Sequence, residues 1–183
     1  MKYTYYYYSN IIPKDKIKNL NNFILNNADN SLKDNYNNKI KKTTDVKVIK
    51  WNSLKDEIGL IEDYIDKCNQ EAFNFETYRF NKLDGMNHNT YSSKNKGCYN
   101  YHVDGSPYEK GCTLKLTALL NLSTEKYKGG DFYIWDGEDM HIKEFNEPGA
   151  LLVFPSYFPH KVSPVTKGER KTLVLWKKGP WWR

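Results

Sequence analysis

The feature that most constrains the fold is a series of short apolar segments, separated by turn-forming residues, that occupies the chain from residue 76 onward. The segments predicted as strands are YRFNKL, NTYSS, CYNYHVDG, LKLTALLNLS, DFYIWDG, IKEF, ALLVFPS, HKVSPV and KTLVLW. Turn signals stand between them at Gly85, Lys96-Gly97, Gly105-Ser106-Pro107, Gly129-Gly130, Pro148-Gly149 and Lys167-Gly168. Short strands repeated at this spacing indicate a sandwich or a barrel.

The N-terminal part of the chain carries a different, helical periodicity. Residues 14–27 follow Pro13 and repeat apolar residues at spacings of three and four, which predicts an amphipathic helix. A second helix is predicted from an N-cap at Ser53, with one apolar stripe formed by Leu54, Ile58, Ile61, Ile65, Cys68 and Ala72. The polar stretch after the first helix, residues 26–45, reads as an exposed loop.

Together these patterns predict one mostly β domain of the α+β class, with N-terminal helices packed on the outside. No linker interrupts the chain. We therefore expect residues 1–183 to form a single domain, in which residues 1–75 support a β core formed by residues 76–183.

Composition excludes several classes of protein. The net charge of +6 permits an acidic or nucleic-acid partner, but the basic residues are scattered, which favours a solvated lysine-rich surface. Cys68, Cys98 and Cys112 form no CxxC pair; Cys68 is expected in the core, and the other two are expected to be structural. The chain contains neither an apolar leader nor a stretch of about 18 apolar residues, so we expect a soluble, cytoplasmic protein with no membrane partner.

The segment NYHVDG places His102 and Asp104 two residues apart, so that both side chains project from the same face of a strand. A third candidate ligand, His160, follows another strand in the segment FPSYFPHKV. Two imidazoles and one carboxylate can bind one face of an octahedral metal and leave three positions open, as in non-haem Fe(II) oxygenases. A structural zinc site would instead need a fourth ligand.

Open metal positions suit a 2-oxo acid and dioxygen, and a 2-oxo acid with a distal carboxylate requires a cation. Arg170 lies ten residues after His160 and has the planar guanidinium that matches a carboxylate. Arg170, Thr172, Val174 and Trp176 share one face of their strand, and Lys171 lies on the other. The arginine is therefore the better candidate.

In this order and spacing, the block from residue 90 to 176 resembles the Fe(II)/2-oxoglutarate-dependent dioxygenases of the prolyl 4-hydroxylase-like branch. The segments that carry the resemblance are YNYHVDG, LKLTALLNLS, KGGDFYIW and EPGALLVFPSYFPHKVSPVTKGER. The resemblance implies a double-stranded β-helix, also called a jelly roll, of the cupin-like type. It further implies oxidative decarboxylation of 2-oxoglutarate, coupled to hydroxylation of a substrate C–H bond, with ascorbate keeping the iron reduced.

The resemblance also assigns residues. His102, Asp104 and His160 would bind Fe(II), and Arg170 would bind the 5-carboxylate of 2-oxoglutarate. The residues expected around the co-substrate are Tyr91, Tyr99, Thr117, Val162 and Trp176. Its substrate class is a peptidyl residue, proline first, bound near the loops 84–96 and 105–111.

Other functions stay open at this point. A free amino acid or another small molecule could replace the peptide. Oxidative repair or demethylation of nucleic acid is the next candidate, but that branch places a second arginine shortly after the first, where this chain has Trp176. A non-catalytic jelly-roll binding module is the third.

The remaining histidines and the C-terminal tail receive structural interpretations. His88, in the polar stretch GMNHNT, is expected to be exposed, and His141 is expected in a loop or at a strand edge. The aromatic tail WKKGPWWR is predicted to fold back over the barrel; stacking on nucleic-acid bases is the alternative.

Overall fold

The computed structural model describes residues 3–29, 31, 40–105 and 111–182. Its strands are β1 (Tyr6–Tyr8), β2 (Lys42–Thr43), β3 (Asp45–Lys50), β4 (Gly85–Ser92), β5 (Cys98–His102), β6 (Cys112–Asn121), β7 (Lys128–Gly129), β8 (Phe132–Trp135), β9 (Asp139–His141), β10 (Leu151–Pro155), β11 (His160–Val162), β12 (Val165–Lys167) and β13 (Glu169–Pro180). The helices are α1 (Lys14–Asn27), α2 (Trp51–Ile58) and α3 (Ile61–Cys68), followed by a π-helical turn, Asn69–Phe73. Two 3-10 turns occupy Ser93–Asn95 and Lys143–Asn146.

The strands form two main antiparallel sheets. The larger sheet has the order β1-β10-β6-β13-β4-β3, and the smaller one has the order β2-β5-β11-β8-β9. A short ribbon pairs β12 with β7. Strands that are neighbours in these sheets are mostly distant in sequence, as expected for a jelly roll. The prediction of a mostly β fold is confirmed.

The larger sheet is apolar on both faces, and strand β6 shows how the sequence divides them. Leu116, Ala118 and Leu120 join the cluster of buried side chains beneath the helices, whereas Leu119 joins a second cluster with residues of the smaller sheet. We call the second side the inner face. Because alternate residues of a strand point to opposite sides, a nearly continuous apolar run serves both layers.

The helices supply the other half of the first cluster. Ile17, Leu20 and Ile24 of α1 are buried there together with Leu54, Ile58, Ile61, Ile65 and Cys68 of the second helical region. The bounds predicted for α1 are confirmed. Among the described residues, no helix has the length and apolarity needed to cross a bilayer.

The second predicted helix is two helices, and its predicted N-cap is wrong. The chain turns at Gly59, whose φ of 44° ends α2 before α3 begins. Helix α2 starts at Trp51, and Ser53 lies inside it. The Trp51 and Asn52 amides instead donate to the carbonyls of Asp84 and Lys82, at 2.8 and 3.1 Å, so a distant segment satisfies the helix start.

Two predicted strands are also wrong. Residues 78–83 form no strand, since ionic contacts fix this segment instead: Arg79 pairs with Asp66 at 2.9 Å, and the Phe80 amide donates to Glu62 at 2.7 Å. The segment IKEF forms a 3-10 turn that buries Phe145. Part of the predicted loop 26–45 lies outside the described residues, and Lys42–Thr43 within it form β2.

His88 is buried rather than exposed, with only 1 % of its surface accessible. It lies on β4 on the helix side of the larger sheet, and its Nε2 is 2.8 Å from Oδ1 of Asn21 in α1. The amide nitrogen of Asn21 donates to the Leu122 carbonyl, so Oδ1 must accept a hydrogen bond from Nε2–H of His88. Burial, and secondarily the charge of Lys171, lowers the pKa of His88 to about 4.

This lowered pKa predicts acid sensitivity. The unfolded chain binds a proton at His88 below about pH 6.5 and the folded chain does so only below about pH 4, so stability falls as the pH drops through this window. Between pH 7 and pH 4, we expect the free energy of unfolding of the wild type to fall by about 3 kcal/mol more than that of His88→Leu. Urea unfolding at each pH measures this difference. Equal slopes for the wild type and His88→Leu would contradict the prediction.

Candidate metal centre and co-substrate pocket

Two histidines face each other across the smaller sheet. His102 ends β5, His160 begins β11, and the two residues are direct partners in the antiparallel ladder. Side chains of directly opposed residues project to the same side of a sheet. Both rings therefore project toward the larger sheet, with their centres 4.1 Å apart.

Backbone carbonyls orient both imidazoles in the same way. Nδ1 of His102 lies 2.8 Å from the Asn100 carbonyl, and Nδ1 of His160 lies 2.9 Å from the Phe158 carbonyl. A carbonyl only accepts, so each Nδ1 carries the proton and each Nε2 presents a lone pair. Burial, and next the neighbouring His160, lowers the pKa of His102, which keeps this ring neutral.

The carboxylate of Asp104 completes the group. Its oxygens lie 4.0 Å from Nε2 of His102 and 3.8 Å from Nε2 of His160, and one ligand atom from each residue lies within 4.8 Å of the others. The Asp104 amide donates to the Ser156 carbonyl at 3.2 Å, which holds the residue after it leaves β5. This donor set is the one that suits a non-haem Fe(II) ion with open coordination positions.

Thr117 lies behind this carboxylate. It is fully buried on β6, its hydroxyl donates to Oδ2 of Asp104, and it lies 3.0 Å from the Ser156 hydroxyl. Thr117 was expected to face the co-substrate, and its observed contacts are with Asp104 and Ser156. The sequence reasoning missed Ser156, whose only signal is its position directly after the buried strand ALLVFP.

Arg170 lies deep between the sheets, with 1 % of its surface accessible. Its guanidinium carbon is 5.4 Å from the ring centres of Tyr91 and Phe145, and no acidic side chain among the described residues pairs with it. Nη2 of Arg170 is buried without a hydrogen-bond partner. A buried, unpaired cation costs several kcal/mol, so this position suits an anionic ligand such as a carboxylate.

The Arg170 side chain fits here because the neighbouring residue, Gly130, has no Cβ atom. A Cβ atom at Gly130, in the Gly129-Gly130 turn, would lie 3.0 Å from Cδ of Arg170, and its φ of 67° also favours glycine. Lys171, on the opposite face, pairs with Glu169 at 3.2 Å. Phe145, the other ring beside the guanidinium, was missed because its segment was predicted as a strand.

The other residues expected around the co-substrate also lie along this inner face. Tyr91 is the ladder partner of Arg170, and Trp176 is the ladder partner of Thr117, with a buried Nε1 that lacks a hydrogen-bond partner. Tyr99 stacks on His102 with ring centres 3.4 Å apart and pairs with the buried Val162. Of the loop 105–111, residues 106–110 lie outside the described residues.

Known proteins are similar to this chain in sequence. A model of the 2OG-Fe(II) oxygenase superfamily matches residues 86–178. A PKHD-type hydroxylase, YbiX, from Escherichia coli O6:K15:H31 is 32% identical over 123 residues, which cover 64% of this chain and 53% of the relative. The corresponding YbiX of Shigella dysenteriae serotype 1 is 31% identical over the same coverage. The chain thus spans about half the length of these curated relatives.

Solved structures share its fold. A prolyl-4-hydroxylase from Pseudomonas putida superposes with a TM-score of 0.70 at 18% identity, covering 97% of this chain and 94% of that one. A viral collagen prolyl hydroxylase from Paramecium bursaria Chlorella virus-1, solved as a 2OG complex, gives 0.69 at 12% identity, with 97% of each chain covered. The sequence match spans half of this chain and includes the converging His102, Asp104 and His160. The chain therefore belongs to the 2OG-Fe(II) oxygenase superfamily.

Proposed function

We propose that this chain is an Fe(II)- and 2-oxoglutarate-dependent dioxygenase that hydroxylates an unactivated C–H bond of a peptidyl residue, proline first. The observation that carries the proposal is the convergence of His102, Asp104 and His160 on one face, with the buried, unpaired Arg170 on the same inner side. Residues 1–183 would act as one domain, with residues 1–75 supporting the core formed by residues 76–183.

The chain's own contribution is to hold its ligands in fixed positions. His102, Asp104 and His160 would bind Fe(II), and the carbonyls of Asn100 and Phe158 would keep each Nε2 pointed at the ion. Thr117, by donating to Asp104, would fix which carboxylate oxygen is left for the metal. When bound, iron and 2-oxoglutarate supply the oxidation: dioxygen is consumed, 2-oxoglutarate becomes succinate and CO₂, and one oxygen atom enters the substrate.

Arg170 would bind the 5-carboxylate of 2-oxoglutarate. This pairing would neutralise the buried guanidinium, and the adjoining rings of Tyr91 and Phe145 would exclude water from it. Val162, Trp176 and Tyr99 would form the walls between this arginine and the metal. Ascorbate would return oxidised iron to the Fe(II) state.

A peptide is the substrate class that the neighbours favour. A prolyl hydroxylase from Trichoplax adhaerens, solved with a peptide fragment of hypoxia inducible factor, superposes with a TM-score of 0.66 at 17% identity, covering 95% of this chain and 83% of that one. Tyr157, which follows the Ser156 that holds Asp104, exposes its ring. Apolar surface beside the metal ligands suits an extended chain.

Substrate class is tested by turnover. The protein is incubated with Fe(II), 2-oxoglutarate, ascorbate and a panel of proline-containing peptides, and mass spectrometry looks for the gain of one oxygen atom. We expect this gain together with stoichiometric succinate. Succinate formation that no peptide stimulates would point to a small molecule, and no turnover with iron bound would favour a binding module.

Metal binding depends on each proposed ligand. We expect His160→Ala and Asp104→Ala to lower the affinity for Mn(II), used as a redox-stable substitute for Fe(II), by more than about 100-fold in calorimetric titration. Thr117→Val should lower it by about 10- to 100-fold, because only the orientation of Asp104 is lost. His141→Ala is the matched control, since His141 pairs with Asp131 away from the three ligands. Wild-type affinity in the ligand variants would refute the assignment.

Arg170 should determine the affinity for the co-substrate. We expect Arg170→Leu to raise the KM for 2-oxoglutarate by about 100-fold, because two charge-assisted hydrogen bonds are lost. Arg170→Lys should raise the KM less, because it keeps the charge. The increase in thermal stability on adding 2-oxoglutarate to the metal-loaded protein should disappear as well. Lys171→Leu, on the opposite face of β13, should leave both quantities unchanged. An unchanged KM in Arg170→Leu would contradict the proposal that Arg170 binds 2-oxoglutarate.

A further inference from the structure

A cavity of about 230 Å³ lies at the end of the larger sheet, outside the two sites described above. Its lining residues are Asn74, Phe75, Glu76, Lys115, Pro180, Trp181 and Trp182. Trp182 packs edge-on against Phe75, with ring centres 5.0 Å apart, so the tail folds back onto the protein as predicted. Trp181 and Trp182 still expose about half of their surfaces.

A short series of contacts joins this cavity to the proposed metal centre. Trp182 packs against the ring of Tyr157 at 5.7 Å, and Tyr157 follows Ser156, whose hydroxyl contacts Thr117 behind Asp104. The Ser156 amide also donates to the carbonyl of Lys115 at 3.0 Å. Lys115 precedes Thr117 by two residues on β6, at the point where the register between β6 and β13 shifts.

Lys115 is the unusual group in this cavity, with only 3 % of its surface accessible. Its stem runs against the backbone of Gly179, where a Cβ would lie 2.9 Å from Cγ of Lys115. Its ammonium lies 3.3 Å from the ring centre of Trp182, and no carboxylate of the described residues pairs with it. Burial lowers the pKa of Lys115, and the exposed Glu76 at the rim partly opposes that effect.

From this arrangement we propose that the cavity is a specificity subsite that binds an acidic side chain of the peptide substrate through Lys115. The inference rests on the proposed peptide hydroxylation and adds a sequence preference to it. A carboxylate in the cavity would pair with the ammonium of the buried Lys115 side chain, which no carboxylate of the described residues neutralises. The exposed aromatic rings would cover the flanking part of the peptide.

The position of the cavity favours a peptide over a free amino acid. Lys115 lies two residues along β6 from Thr117, and its stem runs against Gly179, the ladder partner of Thr113, which lies farther along the strand from Thr117. An extended peptide covers such a span with about two to four residues. We therefore expect the acidic residue two to four positions from the hydroxylated one.

The test uses a set of nine-residue peptides with one central proline and a single Glu moved through the other positions, each paired with its Gln counterpart. Binding is measured by calorimetry on protein loaded with Mn(II) and 2-oxoglutarate, and kcat/KM is measured separately with Fe(II). The variants are Lys115→Met, which keeps the stem and removes the charge, and Glu76→Gln at the exposed rim. Lys126→Met, an exposed lysine elsewhere, is the matched control.

We expect the wild type and Lys126→Met to bind the Glu peptide about tenfold more tightly than its Gln partner at one position. Lys115→Met should abolish this ratio while the Gln peptide binds as before. Glu76→Gln should increase this preference for the Glu peptide, because the Glu76 carboxylate no longer competes for Lys115. If Lys115→Met does not fold, the Glu76→Gln variant tests the subsite instead.

Three outcomes would contradict the proposed subsite. These are the absence of a Glu preference at every position, an equal loss for both peptides in Lys115→Met, and an unchanged ratio in a Glu76→Gln variant. Failure of the proposed function would look different, because peptides would bind with the Glu preference but gain no oxygen. Peptides that neither bind nor react would overturn both proposals.

Discussion

The pairing of β5 with β11 is the constraint on which the rest of the site depends. It sets His102 opposite His160, and the register then shifts before Val162 pairs with Tyr99. This shift lets Tyr99 and His102, three residues apart, approach closely enough to stack. A slip of one residue in either strand would turn one imidazole to the outer side, and no other described residues could replace it.

Buried charge is treated in two opposite ways along the single strand β13. Lys177, on the helix side, lies 2.8 Å from both Glu62 and Asp66, so its ammonium is fully compensated within the fold. Arg170, on the inner face, is equally buried and has no such partner among the described residues. The fold supplies carboxylates where a cation is structural. This uncompensated charge is what supports the proposed binding of a carboxylate at Arg170.

The sequence predicted those parts of the fold that depend on local periodicity. Alternation along KTLVLW predicted that Val174 and Trp176 share one face, and both belong to the inner-face cluster. The predicted apolar stripe from Leu54 to Cys68 is buried, even though the helix breaks at Gly59. Within the candidate site, the spacing of His102 and Asp104 followed from the strand period alone. The position of His160 beside them was predicted only from the family resemblance, because local periodicity does not show which strands pair.

The errors arose where distant residues override local preference. His88 looked exposed in a polar segment, but Asn21 of α1 satisfies it in the core. Residues 78–83 have strand-forming side chains, yet Arg79 and Phe80 are held by acidic residues of α3. Five of the seven residues that line the Lys115 cavity, 74–76 and 181–182, likewise lie outside the strands, whereas His102, His160 and Arg170 lie within the ladders. Recognition at the proposed subsite would thus depend on loop residues, whereas the proposed oxidative chemistry would depend on strands in which a slip of one residue reverses every side chain.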